Sequence, residues 1–179
     1  RSTLALNMVD ASAILWRLHL GGIDFGDRWA ALAANWMPKA AAGNYAFNDA
    51  HAMMAFVGAG LDAPARTLLE TQREAMRGND DNAAFTRDVG HPLTCAIKAF
   101  GEDDYDEAVR LIRPIRSIAH RFGGSHAQRD VIDLTLIEAA LRAGDRAFAR
   151  ALTAERQLAR PDSPLSALLS RRASDLSEN

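Results

Sequence analysis

The sequence is poor in the residues that mark several classes of protein. Among its 179 residues is one cysteine, Cys95, so no disulfide can form within the chain, and the Cys/His spacing of a zinc site is missing. Six prolines and twelve glycines are too few for a disordered or collagen-like chain. No run approaches the roughly 18 apolar residues of a membrane span. We therefore predict a folded protein with no metal and no membrane contact, in a reducing, cytoplasmic compartment.

Basic and acidic residues nearly balance, at a net charge of −2, but they are unevenly distributed. Residues 1–107 contain 9 basic and 15 acidic residues, whereas residues 108–172 contain 12 and 6. The asymmetry predicts an acidic half and a basic half. It is too mild to indicate a nucleic-acid partner.

Apolar residues recur at the three- and four-residue spacing of helices almost throughout, and the alternation typical of strands is missing. Glycine pairs at Gly21-Gly22 and Gly123-Gly124 predict helix ends, because glycine adopts the left-handed conformation at little cost. The inward stripe of the first helix is predicted to be Leu4, Met8, Ala11, Leu15 and Leu18.

Capping and breaking residues predict where the other helices begin and end. Asn48 or Asp49 caps the third helix and Asp62 the fourth, while Ser125 with Gln128 forms a capping box for the seventh. Pro114 predicts a kink in the sixth helix. A polar stretch over residues 78–88 predicts the longest loop. The predicted helices cover residues 4–20, 27–41, 48–58, 62–77, 92–101, 103–122, 125–141 and 145–160, followed by a short helix over 163–172.

Helices paired across glycine turns predict an all-α fold. We expect an α-α superhelix of about four stacked helical hairpins with a C-terminal capping helix, forming a single domain over residues 1–179. The fourth hairpin has the tetratricopeptide spacing, with Ala149 and Pro161 five and seventeen residues after Gly144. Ala108 in the third hairpin and Ala149 in the fourth are the small residues that must face a partner helix. The turns recur near every 40 residues rather than the usual 34, which leaves HEAT-type repeats as the alternative.

Several motifs carry a more specific resemblance. They are Leu15-Trp16-Arg17-Leu18, Gly26-Asp27-Arg28-Trp29, Phe47-Asn48-Asp49-Ala50-His51-Ala52-Met53-Met54, Gly123-Gly124-Ser125-His126-Ala127-Gln128-Arg129-Asp130-Val131 and Arg160-Pro161-Asp162-Ser163-Pro164-Leu165. Their order over nearly the whole chain resembles the tetratricopeptide repeat protein 38-like family. The resemblance implies stacked helical hairpins and the C-terminal portion of a longer repeat protein, and it implies no catalytic residue or ligand. His91-Pro92 departs from the family's leucine-proline.

Motifs of common catalytic sites are missing: there is no P-loop, dinucleotide fingerprint, HExxH or nucleophile elbow. We therefore predict that the protein is not an enzyme and uses no cofactor. Cys95 lies in the apolar run 93–100 and is interpreted as a small hydrophobic residue of the core.

Two groups of basic residues follow helical spacing and are candidates for binding an acidic peptide tail. One group extends across the last hairpin turn and consists of Arg142, Arg146 and Arg150. The alternative is a solvated face beside acidic neighbours. The other group lies on one side of the sixth helix and consists of Arg110, Arg113, Ser117, His120 and Arg121.

Histidines mark a second candidate site. His51, His91 and His126 each lie in the first turn of a predicted first-of-pair helix, and such helix starts share one edge of a stack. Helix starts offer unpaired amides and partial positive charge, which suit an anion. The alternative is that these residues only cap and pack the helix ends. Together with Arg110 and Arg113, the predicted site residues are Asn48, Asp49, His51, His91, His126, Gln128, Arg129 and Asp130.

Two functions follow from these patterns. The first is a scaffold or adaptor that binds a peptide or protein segment in the groove of the helical repeats. The second is a small-molecule or anion site at the clustered helix starts, with His51 and Asp49 as an acid–base pair if it is catalytic. The apolar stripe of the first helix, without a preceding repeat to cover it, also predicts a homodimer.

Overall fold

The computed structural model describes residues 3–43 and 45–176, and every regular element in that part is helical, which confirms the all-α prediction. A π-helical turn, Thr86–Gly90, and a 3₁₀ segment, Arg113–Phe122, accompany the α-helices. None of the helices described here is long and apolar enough to span a bilayer. In chain order the α-helices are α1 (Ala5–Leu20), α2 (Asp27–Ala40), α3 (Ala46–Gly58), α4 (Asp62–Ala75), α5 (Asp81–Phe85), α6 (His91–Gly101), α7 (Tyr105–Ile112), α8 (His126–Ala143), α9 (Arg146–Ala159) and α10 (Pro164–Asp175).

Several helix ends lie where local signals place them. Gly144 takes the left-handed conformation, with φ 74°, directly after α8. The Ser125 hydroxyl accepts from the Gln128 backbone N–H, and the Gln128 side chain accepts from the Ser125 N–H, so the predicted capping box is present. Asp145 caps α9 by accepting from the Phe148 N–H. Neighbouring residues alone decide these ends, because backbone freedom and capping hydrogen bonds are local.

The predicted cap of the third helix is wrong. α3 begins at Ala46, and Tyr45 precedes it, so Asn48 and Asp49 lie inside the first turn. Asp49 is buried, and its carboxylate accepts a hydrogen bond from Gln72 on α4. The Asp49 side chain therefore makes a tertiary contact instead of the capping contact that the local pattern predicted. In the same way, Asp62 is the first residue of α4 rather than its cap.

The predicted loop over residues 78–88 is mostly helical. Asp80 caps α5 by accepting from the Ala83 N–H, and α5 runs through the π turn directly into α6. Pro92 is the second residue of α6, close to the predicted start of that helix, but α6 follows the π turn without a break in helical structure. It has no N–H to donate to the preceding turn, and the wider π turn lies where that hydrogen bond is missing.

Pro114 ends α7 rather than kinking it. The α-helix stops at Ile112, and the chain continues as the 3₁₀ segment. A proline ring clashes with the carbonyl four residues earlier and removes one N–H donor, so α-helical bonding does not continue. The segment still buries Ile115, Ala119 and Phe122.

Inner and outer helices alternate along the chain. α1, α3, α6 and α8 form an inner group, and α2, α4, α7 and α9 pack outside it, with α10 on α9. α3 and α6 run parallel, because Gly90 lies against Ala46 near one end and Gly101 lies against Val57 near the other. A Cβ at either glycine would clash with the facing side chain, so these glycines set how closely the two helices approach.

The inner helices close into a ring. α1 packs directly on α8, and Trp16 Nε1 donates to Thr135 Oγ1 at 2.9 Å. Arg142 of α8 donates to the carbonyl of Leu20, the last residue of α1, at 3.2 Å. In an open stack each repeat contacts only its neighbours, whereas here the first and fourth hairpins touch. Packed side chains therefore occupy the space of the predicted concave groove.

Both faces of α1 are apolar, and the predicted inward stripe is partly wrong. Met8, Val9 and Trp16 are buried, whereas Leu4 is 68% exposed and Leu18 is 36% exposed. Because apolar residues occur on both sides of this helix, its periodicity alone does not determine which side meets the core.

Ala108 and Ala149 are fully buried, as their predicted positions at helix crossings require. We expect Ala108→Leu and Ala149→Leu each to lower the free energy of unfolding by roughly 1–3 kcal/mol, because a close-packed core has no room for the extra carbons. Urea unfolding measures the effect. Ala154→Leu, at an exposed position of α9, is the matched control and should unfold like the parent. Parent-like stability of both buried variants would show that neither alanine faces packed side chains.

Candidate functional site

A polar cleft of about 300 Å³ lies where the 3₁₀ segment meets α8 and the end of α9. His126, Arg129 and Asp130, three of the predicted site residues, line it. Three guanidinium groups and two imidazoles share the cleft with two carboxylates, so the lining has one excess positive charge before either histidine is protonated. We call it the basic cleft, and its lining residues are Arg116, Ala119, His120, His126, Arg129, Asp130, Ile132, Asp133 and Arg160.

Asp130 is a deeply buried charge in the wall of the basic cleft, with a side chain 9% exposed. Arg156 donates to both of its oxygens, at 2.7 and 3.2 Å. This two-point contact holds the carboxylate against α9. Arg160 also contacts Asp130, at 3.0 Å, but its side chain is 45% exposed. A guanidinium has five N–H donors, so Arg160 retains donors for a ligand.

Arg129 is bound by backbone rather than by a carboxylate. Its guanidinium donates to the carbonyls of Gly123 and Gly124, which follow the 3₁₀ segment. Gln128 is likewise engaged in the capping box with Ser125. Both side chains therefore stabilise the start of α8. This favours the alternative that they cap and pack a helix end rather than bind a ligand.

Arg116 ties together the three elements that form the basic cleft. From the 3₁₀ segment it contacts Asp133 of α8 at 2.7 Å and Glu155 of α9 at 3.0 Å. The side chain of Arg116 is only 27% exposed. The cleft is therefore held rigidly by ion pairs, while His120 and His126 are exposed at its edge.

His51 and Asp49 do not form the predicted acid–base pair. His51 is buried, with Nδ1 2.8 Å from the Phe47 carbonyl oxygen and with no hydrogen-bond partner for Nε2 among the described residues. Burial lowers the pKa of His51 to about 4. Asp49 instead accepts from Gln72 at 3.2 Å, and burial raises the pKa of its carboxyl group to about 6. Both groups are inside the core and are not presented to a ligand.

His91 does not join the other predicted histidines. It lies within the continuous stretch from α5 to α6, with Nδ1 3.1 Å from Gln72 Oε1. Its Nε2 lies 3.6 Å from Cys95 Sγ. Cys95 is partly buried and packs against the core, so the interpretation of Cys95 as a small core residue is confirmed in part. His51, His91 and His126 are in different surroundings, and the predicted common edge of histidines does not form.

The predicted basic face of the sixth helix is mostly paired. Arg110 contacts Glu107 on the same helix. The guanidinium of Arg113 lies over the ring of Phe148 at 4.9 Å. These contacts favour the solvated-face alternative for Arg110 and Arg113.

The predicted group at the last hairpin turn is divided between the core and the surface. Glu138 of α8 is buried and contacts Arg142 at 2.8 Å and Arg172 of α10 at 2.7 Å. Arg142 therefore helps to hold the fold together. Arg150 is exposed on α9 and lines none of the basic cleft.

Sequence reasoning missed Arg116, Arg156 and Arg160. Arg156 lies in the last turn of α9, and Arg160 directly follows that helix, four residues farther along the chain. Their common partner is Asp130, which is 30 residues from Arg160 in the chain. No local pattern connects residues at that separation, so the sequence did not reveal the cluster.

An apolar groove of about 410 Å³ runs between α1 and α2. It is uncovered, and two further apolar residues are exposed nearby in the chain: Leu18 on α1 and Leu4 directly before it. This is the surface on which the homodimer was predicted, and the homodimer stays a prediction. The apolar side chains that line the groove are Met8, Ala11, Ile14, Leu15, Ala31 and Leu32.

No protein-family model matches this chain. No solved structure gives a significant match to it either. Function is therefore inferred from the geometry of the chain itself.

Proposed function

We propose that this protein is an interaction module that binds an acidic peptide segment of another protein in the basic cleft. The observation that carries the proposal is the convergence of Arg160, His120 and His126 around one concavity of about 300 Å³. Guanidinium groups bind carboxylates through two parallel N–H donors, so an aspartate, a glutamate or a terminal carboxylate suits Arg160.

The surroundings of Arg160 make it the main anchor for the peptide. Its contact with Asp130 orients the guanidinium, and its 45% exposure leaves it accessible. His126 lies in the first turn of α8, where the positive end of the helix dipole adds to the attraction for an anion. The volume is at the lower end for ligand pockets, which suits one acidic side chain and its flanking backbone.

Carboxylates around the basic cleft favour a peptide over a nucleic acid. Asp130 and Asp133 line the cleft, and Glu155 contacts Arg116 at its edge. A nucleic-acid backbone carries one charge per nucleotide, and these carboxylates would repel the phosphates beside a bound one. A peptide can separate its acidic residues with neutral ones.

The scaffold that we propose is a tetratricopeptide-like superhelix, in keeping with the resemblance to the tetratricopeptide repeat protein 38-like family. The alternation of inner and outer helices supports it, as do the turn at Gly144 and the buried Ala149. Because α1 contacts α8, the bound peptide lies on the outside of the ring rather than in an open concave groove. Membership of that family is a proposal with the same support.

The proposed role is binding without catalysis, in a reducing cytoplasm. Among the described residues that line the basic cleft there is no serine, threonine or cysteine, so no hydroxyl or thiol nucleophile lies in it. The rigid ion pairs of Arg116 and Asp130 suit a preformed binding surface.

Replacing Arg160 should weaken peptide binding selectively. We expect Arg160→Ala to raise the Kd for a fluorescently labelled peptide of alternating glutamate and glycine about tenfold, because a charged hydrogen bond is lost. Fluorescence anisotropy of the folded protein measures it. Arg150→Ala, at an exposed arginine of α9, is the matched control and should bind like the parent. Equal affinities of the parent, Arg160→Ala and Arg150→Ala would contradict the site.

Two further comparisons separate binding from folding. A lysine–glycine peptide of equal length should not bind, because the basic cleft has excess positive charge. Arg129→Ala should lower the Tm, since Arg129 donates to the carbonyls of Gly123 and Gly124. Its folded fraction should lose clearly less affinity than Arg160→Ala, because those donors serve the backbone rather than the peptide and only the net charge of the cleft changes.

A further inference from the structure

A cavity of about 410 Å³ lies between α4, α6 and α7, and Cys95 is part of its wall. None of its lining residues belongs to the basic cleft. Cys95 is the only cysteine of the chain. The proposed peptide site does not use this thiol, and its surroundings indicate a chemical role of its own.

Cys95 stands at the end of a chain of hydrogen bonds. The Gln72 amide donates to Asp49 Oδ2 at 3.2 Å and to Thr94 Oγ1 at 3.1 Å, so its carbonyl oxygen Oε1 is left to accept. That oxygen lies 3.1 Å from His91 Nδ1, which must therefore carry the proton. His91 Nε2 then has a free lone pair, and it lies 3.6 Å from Cys95 Sγ. The buried amide thus orients a base toward the thiol.

The thiol and the imidazole rest as a neutral pair. Burial lowers the pKa of His91, and the charge of Arg73 lowers it further. Burial also raises the pKa of the Cys95 thiol, although Arg73 and Lys98 act in the opposite direction. The proton therefore moves to His91 as the sulfur attacks, which is how an adjacent base activates a weak nucleophile.

Charged groups of both signs surround the thiol. Lys98 and Glu102, which line the cavity, pair with each other. Arg73 and Glu70 also line it, and neither forms an ion pair with another described residue. Asp104 of the lining also has no ion pair, but it caps α7 by accepting from the Glu107 N–H. One cation, Arg73, and one carboxylate, Glu70, thus lie in the cavity wall with neither an ion pair nor a capping role among the described residues, and they suit a small molecule that carries both an ammonium and a carboxylate group.

We propose that Cys95 is a site of reversible thiolation by a small zwitterionic disulfide of the glutathione type, with His91 as its base. Arg73 binds a carboxylate of the disulfide, and Glu70 binds its ammonium group. The site is independent of the basic cleft, and the fate of one proposal does not affect the other.

The reaction is a thiol–disulfide exchange. The Cys95 proton passes to His91 Nε2, and the sulfur attacks one sulfur of the small disulfide. The disulfide bond of the ligand breaks as a new one forms between Cys95 and half of the ligand. The other half leaves as a thiolate and takes the proton from His91. Cys95 is thereby oxidised and the departing half reduced, and an excess of the small thiol reverses the step.

Glutathione disulfide is the probe for this proposal. With the folded full chain, mass spectrometry should show one glutathione adduct per chain, removed again by excess reduced glutathione. We expect His91→Asn to react about tenfold more slowly at pH 7, because the base is lost. Arg73→Gln should slow the reaction about threefold, the scale of one exposed charge contact. Arg77→Gln, an exposed arginine four residues farther along, is the matched control for Arg73.

Cystamine, a disulfide with ammonium groups and no carboxylate, tests the charge recognition. Its rate should not fall in Arg73→Gln, because it has nothing for Arg73 to bind. In urea the parent and all variants should react equally, which confirms one available thiol in each. A folded parent that forms no adduct, or a folded His91→Asn that reacts as fast as the parent, would overturn the site. Equal effects of Arg73→Gln on both disulfides would overturn the zwitterionic ligand.

Discussion

Trp16→Ala is expected to lower the free energy of unfolding by about 3–5 kcal/mol, the usual cost of removing a buried aromatic side chain. Trp16 has no exposed surface. Its ring makes an edge contact with Phe100 of α6, with centroids 5.6 Å apart, and its Nε1 donates to Thr135 of α8. The deletion therefore leaves a cavity where three inner helices meet. Urea unfolding followed by circular dichroism measures the loss, and Trp16→Phe, which keeps most of the volume, should lose clearly less.

A double-mutant cycle on Trp16 and Thr135 tests the closure of the ring itself. Thr135→Val in the parent leaves the buried indole N–H without an acceptor, at a cost of about 1–3 kcal/mol. In the Trp16→Phe background that N–H is absent, so the same change should cost less. Residues in contact show coupling energies of about 0.5 kcal/mol or more. If the two substitutions are additive, α1 does not contact α8 and the inner helices form an open stack.

Asp49→Asn and His51→Leu should change the pH dependence of stability in opposite directions. The pKa of Asp49 is raised from 3.8 to about 6 by burial, with the Gln72 hydrogen bond partly offsetting it. The pKa of His51 is lowered from 6.5 to about 4, again chiefly by burial, with smaller contributions from Phe47, Arg17 and Asp10. Each shift of about two pKa units corresponds to about 3 kcal/mol of unfolding free energy.

The signs follow from which state holds the proton. Between about pH 4 and 6 the folded protein keeps the Asp49 proton that the unfolded chain has lost, so this group makes stability fall as pH rises. Between about pH 6.5 and 4, His51 is protonated in the unfolded chain but stays neutral in the folded protein, where it is buried. This group therefore makes stability fall as pH drops. In the parent the two contributions largely cancel over this window.

Each variant should reveal the contribution that the other residue makes. Relative to the parent, Asp49→Asn should gain stability as pH rises from 4 to 6.5, by about 3 kcal/mol. His51→Leu should gain by a similar amount as pH falls over the same range. Urea unfolding from pH 4 to 8 gives both differences. If either difference from the parent is independent of pH, that residue has an ordinary pKa and is not buried as described.

Much of the helical plan was predictable because it depends on neighbouring residues. The capping box at Ser125 was predicted correctly, and Gly144 is a turn glycine directly after α8, as the spacing of the fourth hairpin predicted. The errors came where a side chain had a distant partner. Asp49 was predicted to cap α3, but its carboxylate instead accepts a hydrogen bond from Gln72, 23 residues away. Pro92 was predicted to open a helix after a loop and does lie at the start of α6, but helical structure already begins at α5 instead of the loop.

The candidate sites show the same division. The sequence contained His126, Arg129 and Asp130 as a short motif, and the structure places all three in the basic cleft. The sequence did not indicate that Arg160 lies in the same cleft. Cys95 and His91 are four residues apart, a spacing that places them on one helix face, yet only Gln72 determines which nitrogen of His91 faces the thiol.

The sequence by itself determined that this chain is helical and where most of its helices end. Backbone conformation, capping and apolar periodicity are properties of a few adjacent residues, and they are present before the chain folds. Only the tertiary structure decided which face of α1 is buried, that α1 closes onto α8, and which charges share a cleft. Those outcomes depend on contacts between residues far apart in the chain, such as Trp16 with Thr135, 119 residues away, and on the burial that such contacts create.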